Sequence, residues 1–165
     1  MPKEFRVQLA VHPLAETTLP VFKALAIPYI LHPQGWSRQG YVFHVDEDEH
    51  VHPDEHVIYV TLAPQVVMDE LFPEFAAQRL SVCNMDTRDV YLNEARWNRL
   101  YDDDKSGMTL PAYRMYMVQH EIGHALGFGH TSKAEEGNKA PIMMQQTLGT
   151  HGLQPNPFAP NKSSM

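Results

Sequence analysis

Apolar and polar positions lay out a run of short elements along the chain. Phe5 to Val11 alternates and predicts a first strand. Thr18 to Leu31 is mostly apolar and predicts a helix, with Pro20 in its first turn and Pro28 breaking or ending it. Gly35 to Gly40 reads as a turn and Tyr41 to Val45 as a second strand. His56 to Leu62 is a strand rich in β-branched residues. Pro64 to Phe72 predicts a short helix, Asp89 to Asn93 a short strand, and Asn93 to Leu100 a turn or short helix.

Thr109 to Phe128 carries the strongest helical pattern. Thr109 can cap it and Pro111 suits its first turn. One apolar line runs Met115, Val118, Ile122, Leu126; a second runs Tyr113, Tyr116 or Met117, and on to His120 and His124. A helix apolar on two faces is a buried central helix. Beyond His130, glycines and prolines leave little room for long elements. No repeat or low-complexity block interrupts the chain.

Composition narrows the picture without deciding it. The chain has 165 residues, which predicts one domain with a core of its own. The net charge of −7 and the lack of a basic stripe argue against nucleic acid and anionic membranes as partners. A lone cysteine, Cys83, excludes a disulfide framework. The first residues form no apolar leader, and no apolar run is long enough to span a bilayer.

The chemistry concentrates in His120-Glu121-Ile122-Gly123-His124-Ala125-Leu126-Gly127-Phe128-Gly129-His130. His120 and His124 are four apart, so a helix puts both imidazoles on one face. Glu121 lies about 100° round the helix, placed to reach water at the metal without ligating it. Gly127 can take a left-handed conformation, end the helix and return the chain so that His130 becomes a third ligand. Three imidazoles leave a tetrahedral position open, the catalytic arrangement for Zn²⁺. A chance match to all five fixed positions is roughly one in ten thousand, and the motif falls on the helix it requires. Three histidines and a glutamate are also costly to bury without a metal. Glu121 is expected to be the general base of a peptide hydrolysis.

The motif, with Ala140-Pro141-Ile142-Met143-Met144-Gln145 downstream, resembles the metzincin clan of zinc peptidases. The resemblance implies an α+β, metzincin-like zincin: a small twisted mixed sheet, a central active-site helix and a loop-rich C-terminal subdomain. It makes Met143 the Met-turn residue under the ligands, with Met144 as fallback. It implies that substrate lies antiparallel to an edge strand, by position Val90, Tyr91, Leu92 and Asn93 within Asp89 to Asn93. A closer resemblance, to an uncharacterised and mainly actinobacterial metzincin-like domain family, covers most of the chain. Its matches are Gly35-Trp36, Val90 to Asn93 with Arg96-Trp97, Tyr113 to Tyr116, the zinc motif, Ala140 to Thr147, and Pro155 to Phe158.

Two departures from these relatives bear on function. Astacin-like relatives have a tyrosine two positions after the turn methionine, where this chain has Gln145. Gln145, Gln146 or a main-chain group could stand in for it, and the sequence does not choose. Relatives also tend to carry paired cysteines, where this chain has Thr131-Ser132-Lys133 and His151-Gly152-Leu153. That points to a cytoplasmic or virion-enclosed protein rather than a secreted one.

The expectation is therefore a single metallopeptidase domain over 1–165, with subdomains 1–127 and 128–165. It would be a Zn²⁺ endopeptidase that acts as a monomer on peptide or protein. A zinc-binding scaffold with little turnover, or a zinc hydrolase of a non-peptide amide, are the alternatives. Arg96 and Arg114 read as structural cations paired with acids. The acidic loop His44 to His56 reads as solvated, with a second metal site as the alternative.

Overall fold

The computed structural model describes residues 3–46 and 56–161. Five strands form one mixed sheet: β1 Glu4–Val11, β2 Val42–Val45, β3 His56–Ala63, β4 Val82–Asn84 and β5 Asp89–Asn93, in the order β2-β1-β3-β5-β4. β2, β1, β3 and β5 run parallel to one another, and only β4, at one edge, is antiparallel. Four α-helices join them among the described residues: α1 Leu19–Ile30, α2 Gln65–Leu71, α3 Glu94–Asn98 and α4 Leu110–Ala125. The class is α+β with a mixed sheet, the class the resemblance implies.

Alternation in the strands builds the core. Val7 pairs in register with Ile58 and Leu9 with Val60, while Val60 pairs with Val90 and Leu62 with Leu92. All of these are buried, and α1 and α4 contribute Phe22, Ala26, Ile30, Val118 and Ile122 to the same cluster. The opposite face keeps Tyr59 exposed. Pro20 sits in the first turn of α1, but Pro28 does not stop the helix, which runs on to Ile30. So near the C-terminal end, the missing N–H of Pro28 removes only one late helical hydrogen bond.

Two polar anchors fix the scaffold. Both carboxylate oxygens of the buried Glu94 accept main-chain N–H bonds, from Glu16 and Thr17, and so set how the chain approaches α1. Arg96 is also buried. It forks onto Asp103 at 2.8 and 3.2 Å and donates to the carbonyls of Gln78 and Arg79. Arg114 departs from expectation: it donates to the Trp97 carbonyl, not to an acid.

A second correction concerns the edge. The strand Val90 to Asn93 is interior, hydrogen-bonded to β3 on one side and β4 on the other. The edge belongs to Val82–Asn84, a strand too short to show any alternation in the sequence. Residues 47–55, most of the acidic loop read as a possible second metal site, lie outside the described residues.

Candidate metal centre

α4 is the spine of the site. Thr109 Oγ1 accepts from the Ala112 amide, Pro111 lies in the first turn, and eleven of its sixteen residues are buried. It packs against both β4 and β5. The helix ends at Ala125, short of the expected Phe128, through a left-handed Gly127 with φ of 103°. The Gly127 amide donates to the His124 carbonyl and the Phe128 amide to the Gly123 carbonyl. This paired reversal, which a residue with a Cβ adopts poorly, turns the chain back over its own last turn.

The reversal brings His130 to His120 and His124. Nε2 of His130 lies 3.2 Å from Nε2 of His120 and 3.1 Å from Nε2 of His124. The three residues form a group that could hold a metal ion. Tetrahedral zinc with bonds of about 2.0–2.1 Å sets its nitrogens about 3.3 Å apart, close to these separations.

The other ring nitrogens explain the aim. Nδ1–H of His120 donates to the Ile142 carbonyl at 2.7 Å, and Nδ1–H of His124 to the Phe128 carbonyl at 2.8 Å. A proton held on Nδ1 leaves the Nε2 lone pair free for a metal and fixes the ring plane. Burial pushes the His120 pKa down to about 3 and lowers those of His124 and His130. At neutral pH all three imidazoles are therefore uncharged, the form that ligates.

Glu121 faces the same space from the next helical position. It is buried, its Oε2 has no hydrogen-bond partner among the described residues, and burial raises its pKa to about 8. It lines a cleft of about 560 Å³ together with His124, His130 and Gln145. Its apolar lining is Phe75, Leu80, Val82, Cys83, Met85 and Leu148. Val82 and Cys83 belong to β4, so the free sheet edge borders the cleft.

Against the ligand helix at Gly123 packs Met143. It is buried, and a Cβ on Gly123 would collide with its Sδ and come within 2.8 Å of the Trp36 ring. Trp36 stacks on Phe128 at 4.8 Å, and its Nε1–H donates to the Gln119 carbonyl. Gly35-Trp36, Gly123, Phe128 and Met143 thus form one packed floor. Behind it, Gln146 donates to the Pro141 and Asn156 carbonyls and accepts from the Asn156 amide, which holds the 141–146 loop in place.

Every metal-ligand residue read from the sequence is brought together here, with Glu121 beside it. Sequence reading missed the wall residues Phe75, Leu80 and Val82, and the carbonyls of Phe128 and Ile142. Carbonyls carry no sequence signal, and the wall comes from segments about 40 residues upstream of the motif.

Residues 21–164 match the model of a family described as "Protein of unknown function (DUF3152)". No curated protein and no solved structure matches the chain.

Proposed function

The chain belongs to the family of unknown function DUF3152, and from its site we propose that it is a zinc-dependent endopeptidase of metzincin-like construction. One observation carries the reading: the buried Glu121 carboxyl, whose Oε2 has no partner among the described residues, lines the same cleft as the convergent imidazoles. A scaffold that only holds a metal has no need of Glu121, and leaving a buried carboxylate unpaired is costly.

His120, His124 and His130 would hold the ion. Three neutral nitrogen donors with the fourth direction open favour Zn²⁺ in a catalytic rather than a structural role. When bound, zinc supplies Lewis acidity, polarising a scissile carbonyl and making water more acidic. Glu121 takes the proton from the attacking water and delivers it to the leaving amine as the C–N bond breaks. The ion's charge would draw the Glu121 pKa down from its metal-free value, which suits a base at neutral pH.

The substrate is a peptide in extended conformation. Its main chain pairs with the open edge of β4, and an apolar side chain enters the wall of Phe75, Leu80 and Leu148. Met143, packed under Gly123, takes the role of the turn methionine. The mixed sheet with one antiparallel edge strand beside the helix supports the metzincin-like reading.

The test is zinc content followed by mass-spectrometric profiling of a peptide library, with Glu121→Gln as control. One equivalent of zinc and Glu121-dependent cleavage is the expected result. Zinc without cleavage would turn the reading to a scaffold, and absence of zinc from chelator-free protein would end the site assignment.

A further inference from the structure

Among the cleft's side chains, three carry a hydroxyl or amide that could meet charge on a substrate carbonyl. Peptide hydrolysis builds negative charge on the carbonyl oxygen, and a positioned donor there lowers the barrier. Gln78, Ser81 and Gln145 are the hydroxyl and amide side chains that line the cleft. The Ser81 hydroxyl oxygen accepts from the Asn93 amide, which holds it against β5 on the sheet side of the cleft rather than at the loop after the ligands. Gln78 is exposed, with its main-chain carbonyl held by Arg96. Gln146 is fully buried, with its amide committed to Pro141 and Asn156.

Gln145 differs from all of these. It is half-buried and lines the cleft alongside Glu121, His124 and His130. Its Oε1 lies 2.9 Å from the Tyr116 hydroxyl and accepts that proton, which the Met144 carbonyl, at 3.1 Å, shares. Tyr116 is itself buried and pinned, accepting from the Gln146 amide at 2.9 Å. Oε1 is thus held toward the protein, and the Nε2 amide has no partner among the described residues.

We infer that Gln145 is a catalytic residue whose side-chain amide donates to the carbonyl oxygen of the substrate as that oxygen gains charge, and that Tyr116 is the positioning residue that aims it. This rests on the peptidase reading above. In the reaction, water oxygen bonds to the carbonyl carbon and the C–N bond breaks. One water proton passes by way of Glu121 to the amine. Gln145 gives up no proton; it only stabilises the transient oxyanion.

The test uses Gln145→Leu, which loses the amide, and Gln145→Glu, which keeps an oxygen for Tyr116 but loses the donor. Three readouts are taken: zinc content, kcat and KM on a profiled peptide, and calorimetric affinity for a phosphinic peptide whose tetrahedral oxygens mimic the charged state. Both variants are expected to keep wild-type zinc content and KM while kcat falls by about 100-fold. Phosphinate affinity should fall by at least about tenfold, whereas binding of the uncleaved peptide, measured in a Glu121→Gln background, stays unchanged. Wild-type kcat in either folded variant overturns the role of Gln145 and leaves the peptidase reading standing. A wild-type protein that holds zinc but neither cleaves peptides nor binds the phosphinate overturns both.

Discussion

Gly123 and Met143 occupy a single volume: the helix has no side chain at the one point where the methionine sulfur presses against it. Met143 follows Ile142, whose carbonyl fixes His120, so the contact sets the height of the returning loop against the ligand helix. Gly123→Ala is expected to destabilise the protein by about 1–3 kcal/mol through overpacking, despite the better helix propensity of alanine. It should also weaken metal binding. A thermal melt of metal-free protein that matches wild type would show that the sulfur has room to move.

Metal should be part of the fold's stability. Ligand present at a hundred times its Kd adds about 2.7 kcal/mol to the folded state. Chelation is therefore expected to lower Tm, and one equivalent of Zn²⁺ to restore it. His130 sits outside the helix and is the most exposed of the three ligands. His130→Ala should keep the metal-free Tm and lose most of the zinc-dependent rise. An undiminished rise would remove His130 from the ligand set.

Stability of the metal-free chain should pass through a maximum with pH. His120 falls to about 3 in the fold from an ordinary value near 6.5, so the unfolded chain binds the extra proton between those values and stability rises with pH. Glu121 runs the other way. Its pKa is about 8 in the fold against 4.5 ordinarily, so the folded chain holds the extra proton and stability falls as pH climbs through that window. Above 6.5 the histidine contribution is complete, and the decline toward 8 belongs to Glu121. Chelated protein melted across pH 4 to 9 should show this limb, and Glu121→Gln should flatten it. A limb that survives the substitution assigns it to another group.

Arg96 holds the segment that leads into the cleft wall. Arg96→Ala strips the Gln78 and Arg79 carbonyls of a donor, leaves Asp103 with only the longer contact to Arg79 and opens a cavity beside Tyr101. The expected cost is about 3 kcal/mol, read from the urea midpoint. A loss under about 1 kcal/mol would mean that water replaces the guanidinium.

Cys83 borders the cleft but is not a group poised to react. Burial, and then the neighbouring Glu121 and Asp89 charges, push its thiol up to about 12. At pH 8 that leaves a thiolate fraction of about one in ten thousand. Iodoacetamide is expected to label the folded chain far more slowly than the urea-unfolded chain. Equal rates would place the thiol in open solvent.

The sequence by itself determined what depends on local spacing. The four-residue step from His120 to His124, the glycine at 127 and the β-branched run after His56 dictate their own conformations, because helix period, left-handed backbone and strand alternation act within a few residues. Even the helix end followed from Gly127, although the residues after Ala125 belong to the reversal rather than to the helix. Tertiary structure decided everything that depends on which strand lies beside which. β4 has three residues and no pattern, yet it takes the edge and leaves Val90 to Asn93 inside. The roles of Gln145 and Gln146 are just as illegible locally, being adjacent residues of one type. The buried Tyr116 hydroxyl, 29 residues upstream of Gln145, orients that amide toward the cleft, and Pro141 and Asn156 tie Gln146 into the loop behind it. Contacts between distant segments are set by how the whole core closes, and no window of sequence contains that information.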